Sequence, residues 1–149
     1  MSLKMEVYGV KGVEKRLDLL EKKVAKKVVS QAVQKVAKSI LKTKMKNNAT
    51  SMVGGEMGKA LAKSISTYVA KKRNNGDFMV IARTKPKKGQ EHFIYMSKSQ
   101  KRSYVPHAIE FGHGNTKPIP FMRKAWIESM RTAQKALGKQ IVSNIVKQA

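Results

Sequence analysis

The sequence predicts an α+β domain in which two long helices and a short helix pack on a small antiparallel β-sheet. Three observations carry that expectation. Residues 13–45 contain neither proline nor glycine and bring an apolar side chain round every three or four positions. Residues 121–147 repeat the apolar spacing. Between them, ISTYVAKK (65–72) and FMVIART (78–84) flank RNNGD, and a centre containing Asn-Gly is a strong hairpin signal. At 149 residues the chain is long enough to bury a real core, and 1–149 is expected to be one domain.

The elements follow in order. MEVYGV (5–10) alternates weakly and runs into the GVKG turn, which predicts a short strand. The first helix, 13–45, opens with Val13, Leu17, Leu20 and Val24 on one face and continues with Val28, Ala32, Val36 and Ile40 at a strict spacing of four. Each such step advances about 40° around an α-helix, so the stripe slides sideways; Val29, Val33 and Leu41 widen it. A helix of that span is roughly 50 Å long, more than a core of this size needs. Its first half is therefore expected to cover the sheet and its later half to serve another subunit. NNATSMVGGE (47–56) reads as a loop by composition, and Met57 to Ser64 as a turn or two of helix. The sheet is expected over 65–97, with HFIYM (92–96) as its third strand. Tyr104 to Phe111 predicts the short helix, with Ser103 as its cap and Pro106 in the first turn, where proline is tolerated. Gly112 and Gly114 end it, and GNTKPIP is extended. The last helix, 121–147, presents Met122, Trp126, Met130, Ala133, Leu137, Ile141 and Ile145 on one face.

Charge is the outstanding property of the composition. Thirty-two Lys and Arg stand against nine Asp and Glu, a net +23, divided as +13 over residues 1–75 and +10 over 76–149. This is not a detachable tail. So few carboxylates cannot neutralise the excess, which points to an anionic neighbour. The absence of cysteine excludes disulfides, thiolate metal sites and cysteine nucleophiles. No apolar run approaches the roughly 18–20 residues that span a bilayer, and MSLKMEVYGV lacks the apolar core of a signal peptide. The expectation is a soluble protein made in the cytoplasm, with no membrane partner.

Chemistry-bearing residues crowd into one stretch, YVPHAIEFGHGNTKPIPFMRKAW (104–126). A hydrolytic reading would need a His–His or His–Glu pair set on a phosphate cradle. Only His107 and Glu110 stand at helical spacing, and one such pair arises easily by chance. HExxH, GxxxxGK[ST], CxxC and paired-aspartate patterns are all absent. No catalytic residue, metal ligand or cofactor is therefore expected. Glu110, between Ile109 and Phe111 in an acid-poor chain, has two readings: a salt bridge to one of the many lysines, or a pair across a subunit boundary.

The lysines also have two readings. Along the first helix they form a solvated polar face, yet their excess favours a polyanion. Lys23, Lys27, Lys38 and Lys42, off the apolar stripe, are the candidate contacts to a DNA backbone. Six arginines, no zinc-finger spacing and 6% aromatics offer neither base readout nor a stacking platform. A small, basic, non-specific DNA-binding protein is thus one functional alternative.

The other comes from a resemblance. Tyr104 followed by Glu110-Phe111-Gly112, then Pro118, Pro120, Phe121, Met122 and Ala125, is similar to the compound motif of the tail-completion and head–tail joining family of tailed bacteriophages and prophages. The order of elements and the lysine-rich first helix resemble that family as well. His113 stands where the family more often has Thr or Ser, and Pro106 interrupts the usual small-residue helix. The resemblance implies a non-enzymatic virion protein that forms a ring, commonly of six subunits, at the head-proximal end of the tail. Its implied partners are copies of itself and other tail or neck proteins, with duplex DNA passing non-specifically. Its implied place is the virion, after assembly in the host cytoplasm. Phe121 and Trp126 suit the anchoring of such an interface.

Overall fold

The computed structural model describes residues 3–6, 22–71, 78–85, 88, 94–96 and 102–148. Within them the chain is α+β, as its pattern predicts. β1 (Leu3–Glu6), β2 (Ile65–Lys71) and β3 (Phe78–Thr84) form an antiparallel sheet in the order β1-β3-β2. HFIYM is therefore not the third strand of that sheet, a place taken by β1: β4 (Ile94–Met96) pairs with β5 (Arg102–Tyr104) in a second, two-stranded sheet. The helices are α1 (Lys22–Val36), α2 (Thr43–Asn48), α3 (Gly55–Ser64), α4 (Val105–Phe111) and α5 (Phe121–Val146). The GVKG and RNNGD turns and residues 13–21 lie outside the described residues, as do 7–10 of the expected first strand and 92–93 of the third.

The first helix departs from expectation in a way that explains its sequence. α1 and α2 are joined by a π-helical segment, Ala37–Lys42, and α2 continues into a second, Ala49–Val53. Backbone angles stay helical through Val36, Lys42 and Ala49, so one rod runs from α1 to Val53. A stripe spaced by four slides about 40° per step on a regular α-helix. Bonding from i to i+5 under-winds the rod and turns the stripe back. Val33, Ala37, Leu41, Met45 and Ala49, each four apart, are accordingly all buried. The later half of the rod thus packs one face into the core of its own subunit.

The reading of 47–56 as a loop is likewise corrected: the rod continues to Val53 and breaks at Gly54, and α3 begins at Gly55. Asn48 is buried, and its amide donates to the Phe121 carbonyl at 3.3 Å, which offsets its poor helix propensity. Thr50 Oγ1 donates back to the carbonyls of Asn47 and Lys46. α3 folds back so closely that a Cβ on Gly58 would stand 2.7 Å from the Ala49 carbonyl oxygen. Gly58→Ala would gain about 1 kcal/mol of helix propensity on an exposed helix. Here it is expected to lower the melting temperature instead, because a backbone atom must yield; a thermal melt checks the sign.

α5 runs antiparallel to the rod. Asn48 near the rod's end meets Phe121 at the start of α5, and Asn144 near the end of α5 donates to the Val28 carbonyl at 3.2 Å. The rod also lies across β2 and β3. Two apolar clusters fill the space: Val28, Val36, Leu41, Val80, Leu137 and Ile141 in one, Met45, Leu61, Ile65, Ala82, Phe121 and Met122 in the other. Trp126, half-buried, packs against both. The face expected on α5 holds at Met122, Ala133, Leu137 and Ile141 and shifts by one position in between, from Trp126 and Met130 to Ala125 and Ser129. Ser129 is buried and Met130 exposed, so the buried stripe runs Met122, Ala125, Ser129, Ala133, Leu137, Ile141. No helix among the described residues is long and apolar enough to cross a membrane.

Candidate functional site

The stretch 104–126 folds into one closed device around Glu110. Its side chain is wholly buried at the end of α4, and its two carboxylate oxygens accept the N–H groups of Met122 and Arg123 at 2.9 Å each. A helix start leaves four backbone donors without intrahelical partners. At α5 every one is accounted for. Pro120, the cap residue, has no N–H; Phe121 donates to the Ile119 carbonyl at 2.8 Å; Glu110 takes the next two. Lys124 then opens the regular ladder on the Pro120 carbonyl. The positive end of the helix dipole adds to the attraction for a carboxylate.

Glu110 therefore makes neither of the contacts weighed for it. Its charge partner is Arg123 rather than a lysine, with Nε at 3.4 Å and a further bond of 3.3 Å from the guanidinium to the Glu110 carbonyl. It lies inside the subunit, so an inter-subunit pair is excluded. Outside the clasp, the Arg123 guanidinium sits 5.0 Å from the Phe111 ring centre, and the His107 ring lies 4.7 Å from the same centre, tilted by 41°. Pro106 is buried in the first turn of α4. Ser103 and Tyr104 belong to β5 and not to a helix cap.

The loop between clasp and helix is tight. Gly112 has φ of 79°, and a Cβ there would stand 2.8 Å from the Thr116 carbonyl oxygen and 3.3 Å from Pro118. Thr116 N–H returns to the His113 carbonyl, and Ile119 N–H to that of Ile109 at 2.7 Å. Glu110, Gly112, Pro118, Pro120, Phe121, Met122 and Ala125 are thus parts of one construction. Phe121, Met122 and Ala125 lie fully buried beneath it. The position of His107 and Glu110 on α4 offers no reactive pair, since the carboxylate is fully committed to α5.

The lysines are distributed differently. Lys23, Lys27 and Lys38 are exposed along the rod, while Lys42 is half-buried. Lys42 and Lys46 form one wall of an open basin of about 550 Å³ at the end of the three-stranded sheet. Lys63, Arg83, Lys85 and Lys88 complete its rim, and Ser64, Ile65 and Ser66 its floor. Sequence reasoning reached only Lys42 of these. The signal for Arg83 was the β2–β3 hairpin, whose register sets Ser66 against Arg83 and Ile65 against Thr84. A second groove, between the rod and α5, is lined by Ile40, Thr43, Asn47 and Thr132, and there Lys44 pairs with Glu128 at 3.0 Å. Compared with protein-family models, curated proteins and solved structures, the chain has no match in any of the three.

Proposed function

We propose that this chain is a structural subunit of the tail-completion or head–tail joining kind, which assembles as a ring at the head-proximal end of a phage or prophage tail. The observation that supports it best is the use made of the motif. The single carboxylate in 104–126, Glu110, is spent on holding α5 in place, which is what a scaffold requires. Its working surface is then the outside of the helices. α5 turns Ile127, 74% exposed, and Met130 outward, and Val146 is exposed near its end. Such side chains are suited to a neighbouring copy.

Assembly must overcome a net charge of +23. At about 0.15 M salt the screening length is roughly 8 Å, which weakens repulsion between exposed charges. The isolated protein is expected to be monomeric in dilute buffer and to form rings when salt, a polyanion or a tail partner is added. Light scattering and negative-stain images across a salt series test this. Ile127→Asp combined with Met130→Asp should abolish rings while leaving the melting temperature unchanged. A wild-type protein that stays monomeric at every salt concentration and with polyanion, or a double variant that still forms rings, would overturn the respective part of the reading.

A further inference from the structure

We propose that the basin at the end of the three-stranded sheet is a binding site for the phosphodiester backbone of duplex DNA. The proposal does not rest on ring assembly. Six cations from four separate segments converge there: Lys42 and Lys46 from the rod, Lys63 from α3, Arg83 from β3, and Lys85 and Lys88 from the residues after it. Among the described residues no carboxylate lines the basin. The groove between the rod and α5 differs in kind, because its Lys44 is neutralised by Glu128. Bringing six like charges together carries a cost in self-repulsion, which a bound polyanion would remove.

The floor adds a second observation. Ser66 lines the basin, and its Oγ is buried with no hydrogen-bond partner among the described residues. An unpartnered hydroxyl of this kind is a donor that the described residues leave unused. The Ser64 carbonyl, at the C-terminus of α3, takes the Lys85 N–H at 3.0 Å. That bond also fixes the rim that carries Lys85.

The same residues exclude other ways of reading nucleic acid. Arg83, the one guanidinium in the basin, lies 4.9 Å from the centre of the Tyr68 ring and covers it. Tyr68 is thereby a poor platform for an unpaired base, and Arg83 is not poised as a fork for a guanine edge. Lysines, as mobile point charges, suit phosphates whose sequence is immaterial. The contact is to backbone, without base preference.

The test is fluorescence anisotropy with a short labelled duplex of mixed sequence, over about 50 to 200 mM salt. Lys63, Lys85 and Lys88 are all exposed, so Lys63→Glu, Lys85→Glu and Lys88→Glu together leave the core untouched. This variant should bind roughly 30-fold or more weaker at the low-salt end. Its slope of log affinity against log salt should be shallower by about 2 to 3, as each neutralised phosphate contributes about 0.9. Arg131→Glu, Lys135→Glu and Lys139→Glu, equally exposed on α5, make the same change in net charge and should shift affinity less than about 3-fold. If the first variant melts lower than wild type, the corresponding Lys→Gln set replaces it, with about half the expected change in log affinity. Equal losses in the two variants would mean that net charge alone binds DNA, and would overturn the site. So would a wild-type protein that ignores the duplex, or displacement of DNA by polyglutamate at equal charge concentration, which would assign the basin to an acidic protein partner.

Discussion

Glu110→Ala is expected to destabilise the protein by about 3–5 kcal/mol, since each buried N–H group left without an acceptor costs about 1–3 kcal/mol and a cavity adds to the loss. For a chain of this size that corresponds to a fall of roughly 10 °C or more in melting temperature. Three losses combine. The N–H groups of Met122 and Arg123 lose their acceptors, the start of α5 loses the carboxylate that complements its dipole, and a void opens beneath α4. Glu110→Gln keeps the volume and isolates the charge and acceptor count, since one of its two terminal atoms becomes a donor facing a donor. It should fall between wild type and Glu110→Ala.

Arg123→Gln separates the helix clasp from the ion pair. The Arg123 side chain is 46% exposed, and an ion pair with that much solvent contributes about 0–1 kcal/mol. A small loss for Arg123→Gln beside a large one for Glu110→Ala identifies the backbone bonds as the main term. Equal losses would move the weight to the salt bridge, and a Glu110→Ala protein that melts like wild type would remove the clasp from the account altogether.

Much of the scaffold was legible because it follows from period and punctuation. α5 occupies Phe121–Val146 against an expected 121–147, and β2 and β3 lie where the hairpin signal put them. The misses share one physical cause, long-range packing overriding local composition. Asn48 and Thr50 look like loop residues, yet the Phe121 carbonyl, 73 positions away, gives the Asn48 amide its reason to be buried in a helix. The slide of a stripe spaced by four was visible, but its cure by two π segments was not, because no residue type marks one. Glu110 was conspicuous for its rarity, and spacing on α4 paired it with His107. Its real partners are reached only when the Gly112–Pro118 turn folds the chain back. The basin was the least legible, since its cations are divided among four segments and only the junction of rod, α3 and β3 brings them together.

Phe121→Ala should cost about 3–5 kcal/mol, near the top of the range for core aromatics. The ring is fully buried and packs in the cluster with Met45, Ala49 and Leu61. How much such a deletion costs depends on how far the surroundings can collapse into the space left. Here they are held from three sides. The Phe121 carbonyl accepts from Asn48, its N–H is bound to the Ile119 carbonyl, and the two following N–H groups are fixed by Glu110. The backbone cannot follow the lost ring inward, so most of the cavity persists. Trp126→Ala is the informative comparison. Trp126 touches both clusters but is only half-buried, so less apolar surface is lost, and about 2–3 kcal/mol is expected. Ile127→Ala, on the outward face, should be within about 0.5 kcal/mol of wild type. Urea unfolding reads all three, as a shift in midpoint at unchanged slope. Since domains of this kind are stable by only about 5–15 kcal/mol, the Phe121→Ala protein should be close to unfolding at 37 °C. If Trp126→Ala proves the more damaging of the two, the junction between the clusters, and not the seat of α5 beneath the Glu110 clasp, is where this fold is held together.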